Sequence, residues 1–119
     1  MAGYRDLKVW ELGVELAREV YRVTGDFPKD ELYGLTNQLR RVAVSIPSNI
    51  AEGHARNTQK ELSRYLNIAK GSLAELETQL IIADQLGFGN SRNIHTLLEL
   101  ADRESHMLSG LLRKVKSSV

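Results

Sequence analysis

The stretch RRVAVSIPSNIAEGH, residues 40–54, sets a proline inside what otherwise reads as an amphipathic helix, and the reading of Pro47 decides the fold. Apolar residues recur around it as Leu32, Leu35, Leu39, Val42, Ala43, Ile46 and Ile50, the spacing of one buried helical face. That phase passes Pro47 without slipping. An interior proline costs about 3 kcal/mol or more, because it removes a backbone hydrogen bond and crowds the preceding turn. Each large aliphatic on the stripe returns about 1.5–3 kcal/mol on burial, so the stripe outweighs the break. The expectation is a single helix that begins near Lys29 or Asp30 and is kinked at Pro47, with the Ala43 carbonyl freed. The competing reading is a break at Ser45 or Ile46 followed by a short extra helix.

The flanking segments keep the helical period. Upstream, a helix from about Asp6 to Val23 carries two stripes, Leu7, Trp10, Val14, Ala17, Tyr21 and Val9, Leu12, Leu16, Val20, Val23. At ~100° per residue the two cover an arc of roughly 220°. A helix at the edge of a bundle needs an apolar arc only a little over ~100° wide. The surplus calls for a covering surface, so Val9, Leu12, Leu16 and Val20, with Trp10, read as residues of an oligomer interface. Thr24 to Pro28 breaks this helix, since Gly25 suits a helix end and Pro28 fixes the entering turn.

Downstream, Gly53 or Asn57 can supply a left-handed cap, and Thr58-Gln-Lys-Glu61 has the form of a capping box. The third helix then buries Leu62, Tyr65, Leu66, Ala69, Ser72, Leu73, Leu76, Leu80 and Ala83 and stops at Leu86-Gly-Phe-Gly89. Asn90 and Ser91 are N-cap candidates for a fourth helix with the stripe Ile94, Leu97, Leu98, Ala101, Leu108, Leu112, Val115. Connections this short make neighbours antiparallel, so the expected fold is all-α: one up-down-up-down four-helix bundle over residues 1–119. Gly71-Ser72, in mid-helix opposite Arg40 to Ala43, reads as a close helix crossing.

A chain of 119 residues, 42% hydrophobic and 26% charged, is enough for one core and short of two domains. Residues 1–8 hold no uninterrupted apolar segment, so no secretory signal is expected, and no run approaches the ~20 apolar residues of a membrane span. The absence of cysteine removes disulfides and thiolate metal sites and fits a reducing cytoplasm.

Catalytic patterns fare poorly. A di-iron bundle needs Glu-x-x-His pairs, yet His54 follows Glu52 by two, His106 follows Glu104 by two, and His95 has no acid three before it. The remaining acids read as solvated surface, and no metal or other cofactor is expected. Ser45, Ser48 and Asn49 flank the proline without a nucleophile elbow and read as partners of backbone carbonyls. Gly87-Phe-Gly89 lacks the Lys-Ser/Thr of a phosphate loop. The chain is expected not to be an enzyme, the one competing site being the Ser45 to His54 region.

Charge is unevenly spread. Counting Lys and Arg against Asp and Glu, residues 39–71 carry +4 and residues 113–119 carry +3, against −2 for residues 1–38 and −4 for residues 72–112. Arg40, Arg41, Arg56, Lys60 and Arg64 are therefore the candidate nucleic-acid contacts, with ordinary solvation and pairs such as Glu61 with Arg64 as the bland alternative.

The segments YRDLKVW (4–10), FPKDELYGL (27–35), QLRR (38–41), SIPSNIAEG (45–53) and AKGSLAELE (69–77), taken in order, resemble the bacterial 23S rRNA intervening-sequence proteins over about Tyr4 to Val115. The resemblance implies a four-helix bundle that assembles as a ring-shaped homopentamer with no known catalysis, and the function expected here is that of a scaffold or adaptor. A related branch looks like the accessory variability proteins of diversity-generating retroelements, basic barrels that bind nucleic acid and a reverse transcriptase. By that analogy the expected partners are further copies of the chain, RNA or DNA, and a reverse transcriptase. The near-neutral charge of this chain departs from the basic branch and weakens the case for nucleic acid; the competing function is a protein-interaction module with no nucleic-acid role.

Overall fold

The computed structural model describes residues 3–117 and is all-α, with four long helices and no strand among those residues. They are α1 (Lys8–Thr24), α2 (Leu35–Ala55), α3 (Gln59–Gln85) and α4 (Ser91–Ser117). α1 packs on α2 and α4, and α3 packs on the same two, giving a body of 46 × 21 × 20 Å. The core is the expected aliphatic set, with Leu16, Leu39, Ile46, Ile50, Leu66, Leu73, Leu76, Leu80, Ile94, Leu97 and Leu108 all fully buried.

α2 runs unbroken through Pro47, which is itself buried, so the continuous stripe prevails over a break at Ser45 or Ile46. Its start differs from the expectation. Lys29–Glu31 is a separate 3-10 turn, and α2 begins only at Leu35. The reason is a cap from outside the helix: Glu31 Oε1 accepts the Leu35 N–H at 3.0 Å. Leu32, assigned to the buried stripe, is consequently 47% exposed. The first helix is delayed in the same way, because Tyr4–Asp6 forms a 3-10 turn and Leu7 is extended before α1.

The punctuation is otherwise local and polar. Asn57 takes the left-handed conformation (φ 64°) that closes α2, and Thr58 Oγ1 accepts the Glu61 N–H at 3.1 Å to cap α3. Gly87 (φ 76°) ends α3, with the Phe88 N–H returning to the Ala83 carbonyl at 3.0 Å. Phe88 packs on Phe27 at 5.8 Å between ring centres, tying the α3–α4 turn to the α1–α2 connection. Asn90 Oδ1 accepts the Asn93 N–H as the first turn of α4 forms. Asp84 receives the Ser91 hydroxyl at 2.6 Å and lies 3.3 Å from His95 Nε2, bridging α3 and α4.

The close crossing expected at Gly71-Ser72 lies elsewhere. Gly71 is exposed, and a Cβ built on it would meet nothing within 4 Å. The tight contacts are at Gly53, where a Cβ would fall 2.6 Å from Tyr65 Cβ, and at Gly13, where it would fall 2.7 Å from Glu104 Oε2 and 3.4 Å from Pro47 Cβ. Glu104 corrects a second expectation. Read as solvated surface, it is fully buried, and neither carboxyl oxygen has a hydrogen-bond partner.

Candidate docking groove and basic cluster

The four residues assigned to an oligomer interface are not on the surface. Val9, Leu12, Leu16 and Val20 are 5%, 7%, 0% and 0% exposed within the single chain; Val9, Leu16 and Val20 join the core, and Leu12 is buried at a cleft shared with Met107 of α4. They are unavailable to a second copy, and the assignment is corrected. The physical reason is that a 220° arc has two flanks, and phase alone does not say which one turns inward. The flank rich in β-branched and aliphatic residues packs the core. The surplus lies on the other stripe.

That second stripe forms one wall of a groove between α1 and α2. Trp10, Val14, Ala17 and Tyr21 face Val44, Pro47 and Ala51 across a cavity of about 510 Å³, with Tyr4 closing one end. Tyr4 comes from the 3-10 turn and meets Trp10 edge-on at 5.3 Å. Val44, at 43% exposure, and Tyr21 leave large apolar surface in contact with water. Arg18 is the only charged residue in the lining. Concave surfaces of this composition on small proteins mark places where another molecule sits. A second apolar feature lies on α3, where Ile68, Ile82 and Leu86 are exposed. At ~100° per residue they fall within about 40° of one another; Ile82 and Leu86 are one turn apart, while Ser72, Glu75 and Gln79 occupy the same face between Ile68 and Ile82.

The five candidate nucleic-acid residues divide. Arg56 and Arg64 both lie over the ring of Tyr65, at 5.3 and 5.1 Å from its centre. Arg56 also donates to the Tyr65 hydroxyl at 3.0 Å and to Glu52 Oε2 at 2.8 Å. The hydrogen bond from Arg56 holds the Glu52 carboxyl below the usual range and correspondingly raises the Arg56 guanidinium. Arg64 stands 3.7 Å from Glu61, and Lys60 is exposed on the same turn. Arg56, Lys60 and Arg64 thus form one cluster at the α2–α3 turn. Arg40 and Arg41 do not join it, since sixteen residues of α2 at 1.5 Å each put Arg40 about 24 Å from Arg56. Arg40 is half-buried, its Nε donates to Thr24 Oγ1 at 3.0 Å, and its guanidinium covers Tyr21 at 4.8 Å. Arg41 is exposed and lines a cleft with Ser45, Ser72 and Glu75.

The polar residues around the proline act on the backbone. Ser45 donates to the Val42 carbonyl at 2.6 Å and Asn49 to the Ser45 carbonyl at 2.7 Å. Glu104, which sequence reasoning missed, has its carboxyl against Gly13, whose backbone also abuts Pro47 of the groove wall. Burial pushes its carboxyl up to about 8. One signal was available: the α4 stripe steps from Ala101 to Leu108, and residue 104 occupies the phase in between.

No helix among the described residues is long and apolar enough to cross a membrane. A comparison with curated proteins yields no match. The family model described as 23S rRNA-intervening sequence protein matches residues 5–110, which takes in α1, α2, α3, the basic cluster and α4 as far as its last two turns. The chain belongs to the 23S rRNA-intervening sequence protein family.

Proposed function

We propose that this protein is a non-enzymatic, self-assembling scaffold of the cytoplasm, a homopentameric ring in which the Ile82 and Leu86 face of α3 of each copy docks into the α1–α2 groove of the next. The observation that carries this is the coexistence, on different helices of one chain, of a concave apolar groove and the exposed aliphatic pair Ile82 and Leu86. Two different patches on one chain allow a head-to-tail contact, which generates a ring where the rotation between copies closes and an open filament where it does not. Five copies is the number the family resemblance brings.

The bundle is taken as antiparallel, up-down-up-down. In its support, Gly53 on α2 meets Tyr65 on α3, while Arg41 and Ser45 share a cleft with Ser72 and Glu75. A kink of α2 at Pro47, which lines the groove, is part of the same proposal.

Light scattering at micromolar concentration tests the assembly. Val44→Glu and Ile82→Glu each place a charge on one half of the contact, and each variant should be monomeric and folded. Mixed together they should form a one-to-one dimer, since the intact α3 face of one fits the intact groove of the other. A wild-type monomer, or an Ile82→Glu variant that assembles normally, would refute the head-to-tail ring.

Nucleic acid is a second reading, favoured by Arg56, Lys60 and Arg64 meeting at one turn. Arg56 and Arg64 already face Glu52 and Glu61, which lowers the charge they offer phosphates. Fluorescence anisotropy with labelled RNA across a salt series decides it: binding should weaken steeply with salt, and no binding at low salt leaves the scaffold as a protein-interaction module alone.

A further inference from the structure

Arg40 is fixed in place yet has no carboxylate partner among the described residues. The Thr24 hydroxyl donates to the Val20 carbonyl at 2.7 Å, so its oxygen is oriented to accept the Arg40 Nε–H at 3.0 Å. Tyr21 covers the guanidinium at 4.8 Å. With Nε committed, the Nη pair is what the side chain still offers, and those two donors form the fork that matches a carboxylate.

Beside this fork lies a cavity of about 320 Å³ between the α1–α2 connection and the start of α2. Phe27, Pro28 and Leu32 give it an apolar wall, and Lys29 adds a second cation. No Asp or Glu lines it. Thr36 stands at the same cavity with its hydroxyl oxygen buried and unpartnered. A half-buried cation held ready without an anion, next to apolar surface and an unsatisfied hydroxyl, is an arrangement completed by an amphipathic anion.

We propose that this cavity binds a small amphipathic monocarboxylate, with Arg40 as its counter-ion and Phe27, Pro28 and Leu32 covering its apolar body. A phosphodiester backbone fits less well, because the wall is apolar and Arg40 is half-buried rather than presented on an open face. The site depends neither on ring assembly nor on the Arg56, Lys60 and Arg64 cluster.

The test is an NMR titration of the full chain with sodium hexanoate and, separately, with hexanamide. Saturable hexanoate binding is expected, with shifts centred on Phe27 and Thr36, and hexanamide should bind at least about tenfold more weakly because a charge-assisted pair is lost. Arg40→Gln should weaken hexanoate about ten- to a hundredfold, and Thr36→Val severalfold. If Arg40→Gln loses its helical circular dichroism, Arg40→Lys decides: it keeps the charge without the fork and should bind about tenfold more weakly. Absence of saturation, equal binding of hexanamide, shifts centred on the Trp10 indole, or unaltered binding by the Arg40 variants would overturn the assignment.

Discussion

Glu104 is the residue whose behaviour departs most from its type. A carboxyl enclosed by helices with no donor stays neutral at pH 7, because burial lifts it from 4.5 to about 8. The unfolded chain ionises near 4.5 and the folded chain only near 8, so the folded state binds the extra proton in between. Stability from this group is therefore complete below about pH 4.5, declines as the pH rises, and is gone above about 8. The loss over that window is on the order of 5 kcal/mol. Thermal melts from pH 5 to pH 9 should fall for the wild type and run nearly flat for Glu104→Gln; parallel curves would refute the assignment. Sequence reading missed this residue because charge type was weighed above phase, and position 104 is filled by Glu where the stripe called for an apolar side chain.

The helices were legible wherever a stripe and a cap agreed. α3 starts at Thr58 and ends at Gly87 as read, since both signals are contained in neighbouring residues. Thr58→Ala removes the acceptor for the Glu61 N–H and should cost about 1 kcal/mol, measured by urea denaturation. A change below about 0.3 kcal/mol would mean the cap is solvent-compensated. α2 was misread at its start because the cap comes from Glu31, four residues away across a 3-10 turn, a geometry that periodicity does not encode. The crossing was misplaced for a related reason. Which small residue meets which helix depends on rotation about the helix axis, and Gly13 and Gly53 carried no more local signal than Gly71.

For the whole molecule, sequence gave the correct inventory of apolar surface and the wrong side of it. Two stripes on α1 were evident, but only packing against α2 and α4 shows that Val9, Leu12, Leu16 and Val20 go inward while Trp10, Val14 and Tyr21 frame the groove. The basic residues were likewise counted correctly and grouped too generously, since Arg40 and Arg41 lie far along α2 from the turn that gathers Arg56, Lys60 and Arg64. Both errors concern direction, which a linear pattern constrains only after a neighbour is known.

Trp10 is the chain's single tryptophan, and it stands half-buried at the groove wall beside Tyr4. Its indole emission is consequently a built-in optical gauge of whether that wall is wet. In the proposed ring, dilution through the association range should shift the spectrum to the red as water reaches the indole. Val44→Glu should show the wet spectrum at every concentration, so the proposed assembly can be tested without attaching any dye.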